Sequence, residues 1–210
     1  MEKPDTKAVM FDAGNVVVYW SNKGFQKKVC EVFDTDWDRA GLEVDYVSNI
    51  FVRGQISESG FWDSVSTRLN KPYDRKKVDG FFYNYFLETA RPFGDVVDLV
   101  RKLRNSQYST VLVSNTIPPH AEAMRKFDWF NEFDGHVLSC EVGSAKPEKR
   151  IYDEALKVAG AYPRQTIFID DHEEFVRAAR SLYIRGITFN RSLQAVSILE
   201  SKLRKEGVVI

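Results

Sequence analysis

The sequence predicts an α/β fold: a doubly wound, mostly parallel sheet with helices on both faces, interrupted by an inserted helical module. Two observations carry this expectation. From residue 91 onward, short apolar runs alternate with amphipathic helical patterns, the order that covers a parallel sheet on both faces. Residues 19–90 break that alternation, with helical patterns, no convincing strand, and fifteen of the chain's twenty-eight aromatic residues. The predicted division is therefore residues 1–18 and 91–210 for the sheet core and 19–90 for the helical module. A chain of 210 residues exceeds one average domain and accommodates both.

Taken in order, "KAVMFD" (7–12) reads as a buried opening strand. Within the module, helices stop at "DTD" (34–36), "RGQIS" (53–57) and "NKPYD" (70–74). Its aromatics, among them Trp20, Trp37, Trp62 and the run "FFYNYF" (81–86), suit the core of a small bundle, with some left to face a ligand. The core resumes at "PFGDVVDLVRKLRNS" (92–106), where Pro92 suits a first helical turn and Val96, Val97, Leu99, Val100 and Leu103 form one apolar stripe. Strands "STVLVSN" (109–115), "GHVLS" (135–139), "QTIFIDD" (165–171) and "GITF" (186–189) then alternate with helices. Those helices are "PPHAEAMRKFD" (118–128), "PEKRIYDEALKVAG" (147–160, ended by Gly160), "HEEFVRAARSLY" (172–183) and "SLQAVSILESKLRKEG" (192–207).

Composition excludes several classes of function. Thirty basic residues balance thirty acidic ones, so no field of one sign attracts nucleic acid or an anionic membrane. Cys30 and Cys140 stand far apart without metal-ligand spacing and read as packing residues in a reducing compartment. The opening "MEKPDTK" has no apolar run of signal type, and no window approaches the roughly 18 uninterrupted apolar residues of a membrane span. The expected location is cytoplasmic, and the expected state a monomer or homodimer.

Parallel sheets place ligand-handling groups where strands end. Asp12 ends the first strand, Ser114 and Asn115 the second, and Asp170 and Asp171 the one at "TIFIDD", while Lys146 lies in "GSAKPE" (143–148) before a helix opened by Pro147. Each alone has an ordinary explanation: Asp favours turns, Ser and Asn cap helices, and a loop lysine faces water. Together, three carboxylates and one ammonium leave about two negative charges in a cleft, which a divalent cation would relieve. Hard oxygen donors favour magnesium, an ion that keeps several waters and binds phosphate groups. Asp12 then reads as a nucleophile toward phosphorus, with the cation and Lys146 holding the equatorial oxygens and Ser114 donating a hydrogen bond to one of them.

In order and spacing, "VMFDAGNVV" (9–17), "VLVSNT" (111–116), "KPE" (146–148) and "FIDD" (168–171) resemble the four motifs of the haloacid dehalogenase-like hydrolase superfamily. The resemblance implies a Rossmann-like core, with the inserted module acting as a cap domain that closes over the active site and selects substrates. It implies Asp12 as nucleophile, Ser114, Asn115 and Lys146 on the phosphate side, and a magnesium site made by Asp12, the Gly14 carbonyl, Asp170 and Asp171, with Asp171 the direct ligand and Asp170 its neighbour. Asp170 would hold water or Lys146. The usual second aspartate of the first motif, the general acid, is replaced by Gly14, a departure that resembles a "DxGN" subset similar to phosphatases of hexose 1-phosphates. Acid–base help is worth on the order of 100- to 10,000-fold, so its loss slows turnover without abolishing it.

Gly14 and Asn15 also tolerate a left-handed turn, so the pair equally suits a tight entry into the module. His172 is a candidate replacement acid, although His172 and Glu173 also open a helix, where acidic residues are favourable in any case. Arg53 either contacts the outer part of the substrate or serves, with Gly54, as a helix end. His120 and His136 read as surface and strand-flank residues. The expected activity is magnesium-dependent hydrolysis of a small phosphorylated metabolite, a sugar phosphate favoured, through an aspartyl-phosphate. The alternatives are a haloacid dehalogenase-type hydrolase, which Asp170 and Asp171 oppose by repelling an anionic haloacid, and a low-activity binding protein that kept the fold.

Overall fold

A computed structural model describes residues 5–210. The sequence expectation of no signal-type run falls partly on residues 1–4, which lie outside the described residues. Strand β1 (Ala8–Phe11) leads through a turn to β2 (Val18–Tyr19) and into four helices, α1 (Lys23–Phe33), α2 (Trp37–Phe51), α3 (Glu58–Leu69) and α4 (Phe81–Thr89). The chain returns through β3 (Arg91–Pro92) to α5 (Gly94–Asn105), β4 (Ser109–Ser114), α6 (Pro118–Met124) and β5 (Gly135–Leu138). Helices α7 (Ser139–Val142) and α8 (Lys149–Ala159), strand β6 (Thr166–Asp170), α9 (Glu173–Ser181), β7 (Arg185–Thr188) and α10 (Val196–Lys205) complete it.

The main sheet is parallel throughout, in the order β5-β4-β1-β6-β7, with β1 hydrogen-bonded to β4 and β6. Successive strand residues point to opposite faces, so each face draws alternate positions of β1 into its own core. Val9 and Phe11 join Leu112, Ile167 and Ile169 with Val96, Val100, Leu199 and Leu203 on one face. Ala8 and Met10 join Val111, Val113 and Phe168 with Ile151, Tyr152 and Ala179 on the other. Because the chain runs outward from β1 in both directions, the carboxyl end of β1 lies at the topological switch point, where open parallel sheets bind ligands.

Helices α1–α4 bury a third cluster, with Phe33, Phe51, Phe61, Trp62 and Phe82 at its centre. Phe51 stacks on Phe61 at 5.2 Å between ring centroids and Trp62 on Phe82 at 5.5 Å, so most of these aromatics pack against one another. The breaks lie where local chemistry puts them. Asp34 takes the left-handed conformation that ends α1, Asp36 caps α2 by accepting from the Arg39 N–H, and Ser57 caps α3 by accepting from the Gly60 N–H.

Three expectations need correction here. Pro92 is not in a first helical turn: Val18 pairs with Pro92 and Tyr19 with Arg91 in a two-stranded antiparallel ladder, and α5 starts at Gly94. Proline is tolerated at such a short edge because it has no N–H to leave unpaired. Nor is His120 a surface residue: it is 7% exposed, its ring 5.1 Å from that of Trp20 and 4.9 Å from that of Phe86. His136 lies within β5 rather than beside it, stacked on Phe130 at 3.7 Å. Among the described residues, no helix is long and apolar enough to cross a membrane.

Candidate active site

The strand-end residues converge on Lys146. Its ammonium lies 2.6 Å from Asp12 Oδ1, 2.6 Å from Asp170 Oδ2 and 3.1 Å from the Val113 carbonyl, which engages all three of its protons. The three carboxyl ends of β1, β4 and β6 thus meet at one buried cation. Asp12, Lys146 and Asp170 are 7%, 4% and 0% exposed. Asp12 keeps its place because its N–H continues the ladder to the Ile169 carbonyl at 2.8 Å. Ser114, the last residue of β4, is buried beside them.

Asn115 is a positioning residue by its side chain. Its Nδ2 donates to the Lys146 carbonyl at 2.9 Å and its Oδ1 accepts from the Lys146 N–H at 2.7 Å. These two bonds fix the Lys146 backbone and leave one amide N–H and one oxygen lone pair of Asn115 unused. Two residues on, Glu148 accepts from Ser144 Oγ at 2.7 Å and pairs with Arg53. Arg53 therefore joins the helical insertion to the Lys146 loop rather than merely ending a helix. Ser139 adds a second link, accepting from the Thr116 N–H at 2.8 Å and donating to the Val52 carbonyl at 2.6 Å.

Burial dominates the electrostatics. It pushes the Asp12 carboxyl up to about 7, with Asp170 and Asp171 adding to the rise and Lys146 opposing it. Burial works against the Lys146 ammonium too, but Asp12 and Asp170 outweigh it and hold the pKa above its ordinary value. Burial also raises Asp170, yet Lys146 and His172 prevail and leave it below the usual carboxylate range. A buried carboxylate whose pKa is raised toward neutrality is short of positive charge, and this is what a bound cation would supply.

Asp171 sits at the outer side of this cluster. Its Oδ2 accepts from Asn15 Nδ2 at 3.2 Å, with Asn190 Nδ2 at 3.5 Å, and its Oδ1 lies 2.8 Å from His172 Nδ1. Asp170, 3.7 Å from the His172 ring, and Asp171 raise that imidazole to about 9. Among the described residues, Asp170, Asp171 and His172 bring one donor atom each within 4.8 Å of one another. The oxygen donors fit a hard divalent cation, and His172 already has Asp171 as its partner.

Sequence reasoning missed Asn15 and Asn190 as holders of Asp171. Asn190 follows the strand run "GITF", so reading that strand end as the others were read would have found it. Asn15, not Gly14, takes the left-handed turn, with φ 54°. Gly14 has an ordinary backbone, and a Cβ there would meet only Asp12 Oδ2, at 3.8 Å.

Comparison with known proteins matches residues 6–182 to the haloacid dehalogenase-like hydrolase family. The chain is 24% identical over 192 residues to the sesquiterpene phosphatase astK of Aspergillus oryzae, covering 89% of this chain and 91% of that one. It is 28% identical over 128 residues to the pyrimidine 5'-nucleotidase YjjG of Escherichia coli, covering 61% of this chain and 56% of that one. Among solved structures, it resembles the HAD family enzyme BT-2542 of Bacteroides thetaiotaomicron in complex with magnesium and inorganic phosphate. The TM-score is 0.75 at 24% identity, over 92% of this chain and 98% of that one.

Proposed function

Because this chain belongs to the haloacid dehalogenase-like hydrolase family and is thus a hydrolase, we propose that it cleaves the phosphate ester of a small metabolite with the help of magnesium. The observation that carries the reading is the buried Asp12–Lys146–Asp170 cluster at the switch point, with Lys146 Nζ 2.6 Å from both carboxylates. Relatives named as phosphatases, and a similar structure holding magnesium and phosphate, support it. Asp12, the Gly14 carbonyl and Asp171 would hold the magnesium ion, with Asp170 close by. Bound there, it offsets the negative charge of the carboxylates and of the phosphate oxygens.

Asp12 attacks phosphorus through its carboxylate, the bond from phosphorus to the ester oxygen breaks, and an aspartyl-phosphate forms. Water then attacks that phosphorus, releasing inorganic phosphate and restoring Asp12. Ser114 donates to the non-bridging oxygens, where charge accumulates, and Lys146 joins it by turning to the phosphate the proton it otherwise gives the Val113 carbonyl. Lys146 cannot drift from this task, since Asn115 grips its peptide on both sides. With Gly14 in place of an acid, the leaving oxygen departs unprotonated, which favours good leaving groups such as the anomeric oxygen of a sugar 1-phosphate. Helices α1–α4 act as a cap, docked through the Arg53–Glu148 ion pair and the Ser139–Val52 hydrogen bond. The unpaired cysteines Cys30 and Cys140 fit a reducing cytoplasm.

The test is inorganic phosphate release from a panel of phosphorylated metabolites with and without magnesium. Magnesium-dependent release from sugar phosphates supports the reading. No release from any ester, with or without the ion, contradicts it.

A further inference from the structure

The structure assigns to Arg191 the role of a positioning residue for the metal site: paired with Asp95, it fixes the groups that hold Asp171 and so favours magnesium over calcium. Arg191 acts here on the magnesium site proposed above, and its role rests on that reading. It lies in the loop of residues 189–195 that joins β7 to α10. The Phe189 N–H donates to the Asp170 carbonyl at 3.0 Å and the Arg191 N–H to the Asn15 carbonyl at 2.7 Å, so this loop is tied both to the end of β6 and to the turn that follows Asp12.

The two asparagines that approach Asp171 Oδ2, Asn15 at 3.2 Å and Asn190 at 3.5 Å, stand on either side of this link. Asn15 has φ 54°, a left-handed conformation that a residue other than glycine keeps only where its neighbours hold it. Two bonds do so: its N–H donates to the Val18 carbonyl at 2.8 Å, and its carbonyl accepts from Arg191. The first of these fixes the Gly14–Asn15 peptide, which carries the Gly14 carbonyl. Two of the oxygen donors proposed for magnesium, that carbonyl and Asp171, thus depend on how firmly residue 191 is held.

The guanidinium does the holding. Nε lies 3.1 and 3.0 Å from the two Asp95 oxygens, Nη2 lies 2.6 Å from Asp95 Oδ2, and Nη1 donates to the Gln194 carbonyl at 3.2 Å. The Phe93 ring centre is 5.5 Å from the guanidinium carbon. Asp95 itself sits in the first turn of α5, where a helix favours an anion. A part-exposed ion pair adds little to stability, and α5 and α10 already share a core through Val96, Val100, Leu199 and Leu203, with Lys102 paired to Glu200 at 3.0 Å. The fork on Asp95 therefore serves geometry more than cohesion. Magnesium demands near-ideal octahedral geometry with short bonds, whereas calcium accepts about six to eight oxygens at longer and more variable distances. Oxygen donors held rigid from behind suit the smaller ion, and loosening them penalises magnesium more than calcium.

The test is calorimetric titration of the parent, Arg191→Ala, Asp95→Asn and the double variant with magnesium and, separately, with calcium. Groups directly behind a metal ligand carry roughly 10- to 100-fold in affinity, and Arg191 stands one step further back. Magnesium affinity is therefore expected to fall roughly tenfold in Arg191→Ala, and calcium affinity by less than about threefold. Asp95→Asn keeps the shape of the side chain and leaves Arg191 against Phe93, so it guards against a loss that comes from misfolding, and it is expected to shift the two ions in the same sense. The double variant is expected to bind magnesium no worse than Arg191→Ala, because each change removes the same ion pair. Equal magnesium affinity in the parent and Arg191→Ala, equal losses for both ions, or losses that multiply in the double variant would overturn the inference. A parent that binds no magnesium overturns the magnesium site and this role of Arg191 with it. A parent that binds magnesium yet releases phosphate from no ester overturns the phosphatase reading alone, and the calorimetry still decides on Arg191.

Discussion

Replacing Gly14 by aspartate tests how the leaving oxygen departs. The backbone accepts the change, since Gly14 has no left-handed φ and a Cβ there meets nothing nearer than Asp12 Oδ2 at 3.8 Å. The price is electrostatic. Two ionised carboxylates about 5 Å apart repel by about 3 kcal/mol at an effective dielectric near 20, an upper bound because Asp12 can take up a proton. At about 2–4 °C per kcal/mol, the metal-free Gly14→Asp variant should lose up to roughly 6–12 °C in Tm. Magnesium should return part of that loss, because it binds the folded state more tightly when a fourth carboxylate is present. The gain is kinetic. The new carboxylic acid protonates the departing oxygen, and alkyl phosphate turnover should rise by some part of the 100- to 10,000-fold that acid–base help supplies. The assay is log kcat/KM against leaving-group pKa for a series of esters. The parent should show a steep negative slope, with aryl phosphates and sugar 1-phosphates ahead of sugar 6-phosphates, and Gly14→Asp a flatter one. A flat line for the parent would refute the reasoning, since an acid would already be present, and His172, 62% exposed beside Asp171, would be the first residue to replace.

Three further outcomes are expected. Gly54 has φ +67°, and a Cβ there would lie 2.1 Å from the Cys140 carbonyl oxygen, so Gly54→Ala should lift the insertion off the sheet domain and cut kcat/KM about 10- to 100-fold. Kinetics indistinguishable from the parent would show that this contact does not matter to turnover. For pH, His120 sits at about 3 when folded, below its ordinary 6.5, so the unfolded chain binds the extra proton between those values. Stability should therefore fall as pH drops below 6.5, by roughly 2 kcal/mol at pH 5. Urea midpoints at pH 8 and pH 5 should differ less in His120→Phe than in the parent, and an equal acid loss in both would contradict this. Finally, Asp171→Ala should weaken magnesium binding at least as much as the roughly 10- to 100-fold seen for outer ligands of metal sites, read by calorimetry. An unchanged affinity would move the ion elsewhere.

The parallel sheet was legible because its strands are short apolar runs at regular intervals, and the residues at their ends carry charge in an otherwise apolar context. Asp12 and Asp170 stood out for that reason, and Lys146 as the cation of a short loop before a helix, although 134 residues separate Asp12 from Lys146. Helix ends were legible wherever a cap residue marks them, as at Asp36 and Ser57. Strands β2 and β3 were not, since two residues each give no period to detect. The burial of His120 was hidden too. Nothing in "PPHAEAM" announces it, because the rings that cover it come from Trp20, Phe82 and Phe86, far back in the chain. The amide of Asn115, read as a ligand-facing strand end, also holds a loop 31 residues away. Arg53 met Glu148 across 95 residues, a pairing that no local pattern encodes.

The central claim is that Asp12 is the nucleophile, and Asp12→Asn tests it most directly. The amide keeps the shape of the carboxylate but attacks phosphorus poorly. Inorganic phosphate release from the best ester of the panel, with saturating magnesium, should drop below detection in this variant while its far-ultraviolet circular dichroism stays that of the parent. Release at the parent's rate by the folded variant would contradict the account.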